Sequence, residues 1–156
     1  MNRSKVVRTV LAGVALLAVG SVVGAEMKVG TGDIIGDRQR IMKLQGASMR
    51  DISDKAKAGN IEGIAVNAET LAVTAINIAA LFPQGSMSDK SKAKPEIWQK
   101  WPEFEAAAKK LQVKAEELRD TARSKNAEAT QEMLKTFGRE TCAPCHDAFR
   151  VPPPRS

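Results

Sequence analysis

The sequence predicts an all-α chain, an antiparallel up-and-down four-helix bundle. Three observations predict it. Four successive stretches repeat apolar residues at helical spacing, no stretch beyond residue 25 alternates apolar and polar residues with β-branched or aromatic enrichment, and most connections are short.

The N-terminus lies outside this pattern. Arg3, Lys5 and Arg8 precede an apolar run from Val10 to Val23, and Val23, Gly24 and Ala25 supply the small residues of a cleavage site. The run is shorter than the ~20 residues of a spanning helix. Residues 1–25 therefore read as a secretory signal peptide and 26–156 as a single domain. Signal removal leaves no stable membrane anchor and points to the periplasm. It takes away three of the 24 Lys and Arg and none of the 18 Asp and Glu, so the 131-residue remainder carries +3. With no block of like charge, nucleic acid is not an expected partner.

Residues 26–33 hold two glycines and no period, and read as a leader. The first helical pattern runs from Ile34 to Lys57, with Ile34, Ile35, Arg38, Ile41, Met42, Gln45, Met49, Ile52 and Ala56 on one stripe. Gly59-Asn60 stops it. The second, Ile61 to Leu81, repeats Ile and Ala at the i, i+3, i+4, i+7 positions through Ile64, Ala68, Leu71, Ala75 and Ile78. Residues 82–96 are polar, with Pro83, Gly85 and Pro95, and form a connection long enough to cover something. Pro102 suits the first turn of the third helix, whose stripe is Phe104, Ala107, Ala108, Leu111, Ala115, Leu118 and Ala122. The fourth starts near Asn126 and places Thr130, Met133, Leu134, Phe137 and Thr141 on one side before Cys142. Pro152-Pro153-Pro154 ends it.

The two cysteines lie three residues apart, so a disulfide between them closes almost no loop and adds little stability. Their setting, Cys142-Ala143-Pro144-Cys145-His146, is the C-x-x-C-H signature of covalent c-type haem attachment. On a helix, positions i, i+3 and i+4 share a face, so two thiols can add to the vinyl groups of one porphyrin while the imidazole reaches the iron. One heme c is the cofactor so predicted, with His146 as an axial ligand. Three rival readings remain, one of them two cysteines spaced by coincidence. A zinc site lacks further Cys or His ligands. A thiol–disulfide oxidoreductase usually opens a helix after a strand, a context missing here.

A C-x-x-C-H motif on the last helix of such a bundle, followed by Asp147-Ala148-Phe149-Arg150, resembles the cytochrome c′ family. Arg38-Gln39 and Lys94-Pro95-Glu96-Ile97-Trp98 are also similar to family patterns. The resemblance implies that Arg38 and Gln39 lie beside the haem, with Arg38 near a propionate. It further implies that Lys94 and Glu96 approach the haem edge, and that Arg150 is the basic residue one turn after the axial histidine. Met42, four residues after Arg38, matches the position facing the distal side of the iron.

The favoured reading makes Met42 the sixth ligand, with Met49 as fallback, and the protein a periplasmic electron carrier with His/Met ligation. The alternative is a high-spin form with an open distal site that binds NO or CO. Neither is an enzyme, since no carboxylate pair, nucleophile–base set or phosphate loop is present. Redox proteins of the periplasm are the implied partners. The family resemblance also raises a homodimer through the first two helices, although their outer faces do not look strongly apolar.

Overall fold

A computed structural model describes residues 30–152, and the predicted signal peptide lies outside the described residues. Six helices follow one another: α1 (Ile34–Lys57), α2 (Ile64–Ile76), α3 (Glu96–Gln99), α4 (Trp101–Arg123), α5 (Ala127–Thr141) and α6 (Ala143–Phe149), with a 3-10 turn at Ala79–Leu81. The four predicted patterns are α1, α2 with its 3-10 extension, α4, and α5 with α6. Among the described residues there is no strand, only an isolated antiparallel bridge between Ala93 and Arg150.

The helix ends follow from local chemistry. Asp33 caps α1 by accepting from the Gly36 N–H at 2.9 Å. Before it, Gly30 has φ +95°, and a Cβ there would fall 2.2 Å from Asp37 Oδ2. That close approach lets the Thr31 N–H donate to Asp37 Oδ2 at 2.7 Å, tying residues 30–33 onto α1. The far end of α1 closes with Gly59 at φ +72°, the Asn60 N–H reaching Lys55 O at 2.9 Å and the Gly59 N–H reaching Ala56 O at 3.2 Å. Asn126 caps α5 through the Ala129 N–H at 3.0 Å.

The core is largely the predicted stripes. Ile64, Ala68, Leu71, Ala72 and Ala75 of α2 face Phe104, Leu111, Ala115, Leu118 and Ala122 of α4, all buried. The alanines allow these two helices to approach closely, and α2–α4 is the most extensive helix pair. The other close pairs are α1–α2 and α4–α5, whereas α1 does not pair closely with α5 or α6. The wedge left between α1 and the C-terminal helices is where the chemistry-bearing residues collect.

Residues 82–95 are bound down on both sides of that wedge. The Arg38 Nε–H donates to Leu81 O at 2.5 Å and its Nη1 to Ser86 O at 2.8 Å, while Gln39 Nε2 donates to Lys90 O at 3.0 Å. On the other side the Lys94 N–H donates to Phe149 O at 2.9 Å and the Val151 N–H to Lys92 O at 2.8 Å. The polar connection therefore joins α1 to α6 across the mouth of the wedge.

Candidate haem-attachment site

The helix carrying the motif breaks at the motif itself. Pro144 has no amide hydrogen and its ring crowds the carbonyl four residues back, so the fourth pattern divides into α5 and α6. Cys142 sits at the junction. Its N–H donates to Gly138 O at 3.0 Å, and its carbonyl accepts from the His146 N–H at 3.1 Å. Register thus passes through the break, and Cys142, Cys145, His146 and Phe149 stay at helical spacing on one side.

The C-terminus of α6 is held by Lys94, whose Nζ donates to Asp147 O at 2.9 Å and Ala148 O at 3.4 Å. A cation on the last carbonyls is the favoured arrangement at a helix C-terminus. Lys94 and Glu96, expected near the haem edge, are not among the residues lining the cavity described next. Lys94 instead positions the motif helix from behind, and Glu96 opens α3 as an exposed residue.

Cys142, Cys145 and His146 border a cavity of about 300 Å³ that also meets Arg38, Gln39, Met42 and Arg150. Seven of the nine predicted site residues thus line one cavity, with Met42 contributed by α1 and Cys145 and His146 by α6. The rest of the wall is apolar, with Ile78, Phe82, Ile97, Phe104, Leu111 and Phe149 in contact with it. Phe104 is the hub of this wall, edge-on to Phe82 at 4.9 Å and to Phe149 at 5.5 Å between ring centroids. Sequence reading missed Phe82, because it stands alone at the start of a polar segment, and Phe149, whose 142–145–149 spacing was the available signal.

The electrostatics suit a neutral donor set. Burial pushes the Cys145 thiol up to about 11, with the neighbouring Cys142 adding to the rise. Partial burial holds His146 below the ordinary imidazole value, with the Arg150 cation acting in the same direction and Asp147 opposing it. The imidazole is therefore neutral near pH 7 and free to offer a ring nitrogen. Among the described residues no group of three or more His, Cys, Asp and Glu side chains could hold a metal ion directly. Two thiols and an imidazole spread along an apolar, aromatic cavity fit a flat macrocycle with its metal at the centre.

Arg38 is 5% exposed, yet its burial does not depend on an anion. Besides Leu81 O and Ser86 O, it donates to Ser86 Oγ, and its guanidinium carbon lies 4.1 Å from the Phe82 ring centroid. The propionate partner that the family resemblance implies would meet the need to satisfy a buried charge. Carbonyls, a hydroxyl and an aromatic face meet much of that need, leaving two of its five N–H groups for a further acceptor.

A family model described as Cytochrome C′ matches residues 33–150. The cytochrome c′ of Pararhodospirillum photometricum is 32% identical over 117 residues, spanning 72% of this chain and 92% of that protein. Among solved structures, a cytochrome c′ described as having ligand-controlled dimer dissociation superposes with a TM-score of 0.71 at 24% identity, covering 80% of this chain and 99% of that one. A carbon monoxide-bound variant of cytochrome c′ from Alcaligenes xylosoxidans superposes with a TM-score of 0.68 at 22% identity, covering 80% and 98%.

Proposed function

The chain belongs to the cytochrome c′ family, and on that premise we propose that it is a non-enzymatic, electron-carrying haem protein of the periplasm whose distal position takes up small gases. The chain carries one c-type haem through Cys142 and Cys145. When bound, that group supplies an iron that changes oxidation state and can hold a diatomic molecule.

The observation that carries this reading is the placement of His146 and Met42 on one cavity whose helices, α1 and α6, are not packed together. His146 presents a neutral imidazole from α6, fixed by the turn through Cys142. Met42 presents a flexible thioether from α1, and Phe82, Phe104 and Phe149 line the space between. In the open-site reading Met42 is a movable gate, and the relative crystallised with carbon monoxide supports a gas as the guest. Arg38 and Gln39 hold the connection that roofs the site.

A second reading keeps Met42 as a permanent sixth ligand, giving a His/Met electron carrier. The thioether on the cavity wall favours it. Titrating the reduced protein with carbon monoxide separates the two. A stoichiometric spectral change in the wild type, faster in Met42→Ala, fits the gate. A wild type that ignores carbon monoxide while Met42→Ala binds it fits the ligand.

Self-association belongs to the same proposal. Leu44 on α1 and Val66, Val73 and Ile76 on α2 are exposed, forming a more apolar outer face than the sequence suggested. The relative with ligand-controlled dimer dissociation supports a homodimer formed there.

A further inference from the structure

Cations and carboxylates are distributed unevenly with respect to the cavity. Its lining contains Arg38, Lys43, Lys90, Lys92 and Arg150 and not one Asp or Glu. Ion pairing is segregated in the same way. Along residues 50–57 and 114–135, away from the cavity, every Lys and Arg except Arg50 is in a salt bridge. Along residues 33–43, 89–110 and 139–150, which build the cavity, only Arg40 is paired among the described residues. Lys43, Lys90, Lys92 and Arg150 are exposed at the rim. Unpaired like charges that converge on one mouth repel each other, and no salt bridge among the described residues offsets that cost at Lys43, Lys90, Lys92 or Arg150.

We propose that the mouth of the haem cavity, ringed by Lys43, Lys90, Lys92 and Arg150, is the docking face for an acidic surface of a redox-partner protein. The inference rests on the haem assignment above. The two carboxylates of a haem would cancel part of this charge and leave the rim cationic. A body docked here comes as near as the fold allows to the group that exchanges electrons, which selects a protein with its own redox centre over a lipid surface. Unpaired rim lysines suit a transient complex, since rim charges act chiefly on the rate of encounter and on its salt dependence.

The test uses the haem-loaded protein, a trianionic oxidant (ferricyanide), a tricationic one (tris-phenanthroline cobalt) and polyglutamate as a surrogate acidic surface. Steering of this kind alters rates by ~10–10³ at low ionic strength. Lys43→Glu/Lys92→Glu should slow oxidation by ferricyanide about tenfold and accelerate the cobalt complex comparably, both effects fading in high salt. Lys57→Glu/Lys135→Glu, equal in net charge but away from the rim, should do neither. Calorimetry should show polyglutamate binding that the rim variant loses and the control keeps. Equal effects of the two double variants would overturn the proposal. So would binding to phosphatidylglycerol vesicles without binding to polyglutamate, which would make the rim a membrane contact. A wild type that reacts with neither oxidant would instead refute the haem reading beneath it.

Discussion

Removing the Arg38 side chain is expected to loosen the roof of the cavity before it disturbs the bundle. In Arg38→Ala three hydrogen bonds from a buried cation disappear, to Leu81 O, Ser86 O and Ser86 Oγ, together with the contact over Phe82. Hydrogen bonds to a charged group contribute about 1.5–3 kcal/mol each, but not additively, and water can reach half-buried Ser86 once the side chain is gone. Leu81 O, next to a residue only 3% exposed, is harder to resolvate. We therefore expect a loss of about 2–4 kcal/mol. Arg38→Met should cost less than Arg38→Ala, because it keeps the stem packed and removes a buried charge that no Asp or Glu among the described residues pairs with. Urea unfolding of the haem-loaded variants gives the magnitude, and amide hydrogen exchange gives the location, with faster exchange at Ser86, Met87 and Lys94 and little change in α2 or α4. A loss below about 0.5 kcal/mol with unchanged exchange over residues 82–95 would refute the reasoning.

His146→Ala should keep the covalent haem mass, because the thioethers remain, and lose the native haem spectrum; an unchanged spectrum would remove His146 as the axial ligand. Asp37 is held below the usual carboxylate range chiefly by the Thr31 backbone N–H, with the Thr31 hydroxyl and Arg40 also lowering it and burial opposing. Its contribution to stability is therefore present above the unfolded-state value near pH 4 and lost as pH falls through the folded value, so Asp37→Asn should flatten the acid limb of the stability curve. Gly59→Ala should destabilise by about 1 kcal/mol in urea unfolding, because the left-handed turn that ends α1 is strained for any residue with a Cβ. Val73→Glu/Ile76→Glu should give a monomer by sedimentation if α1 and α2 form the dimer face, and an oligomeric state equal to wild type would exclude that face.

What the sequence showed clearly was whatever depends on spacing along one helix. The stripes of α2 and α4 are buried as predicted because burying such a stripe is how an amphipathic helix gains stability. The bounds of α1 also agree, since Asp33 and Gly59 are capping signals written locally. The shared side of Cys142, Cys145 and His146 was readable for the same reason. What escaped was tertiary. The break at Pro144 was visible as a residue but not as a division into α5 and α6. Ile97 and Phe82 are buried although their segment is polar, because residues 82–95 are folded back over the wedge by Arg38 and Lys94. The hydrogen bonds of Lys94 to the last carbonyls of α6 were not legible, because one-dimensional order does not reveal which face of a loop a side chain leaves from. The cationic rim unites residues from α1, the loop and α6, and no local pattern brings them together.

The central functional claim, a distal position that Met42 guards without occupying, is tested most directly by the electron paramagnetic resonance spectrum of the oxidised protein near neutral pH. A high-spin ferric signal is expected, and Met42→Ala should leave it high-spin. A low-spin signal, accompanied by the weak near-infrared sulfur-to-iron band and abolished by Met42→Ala, would contradict it and make the protein a His146/Met42 electron carrier.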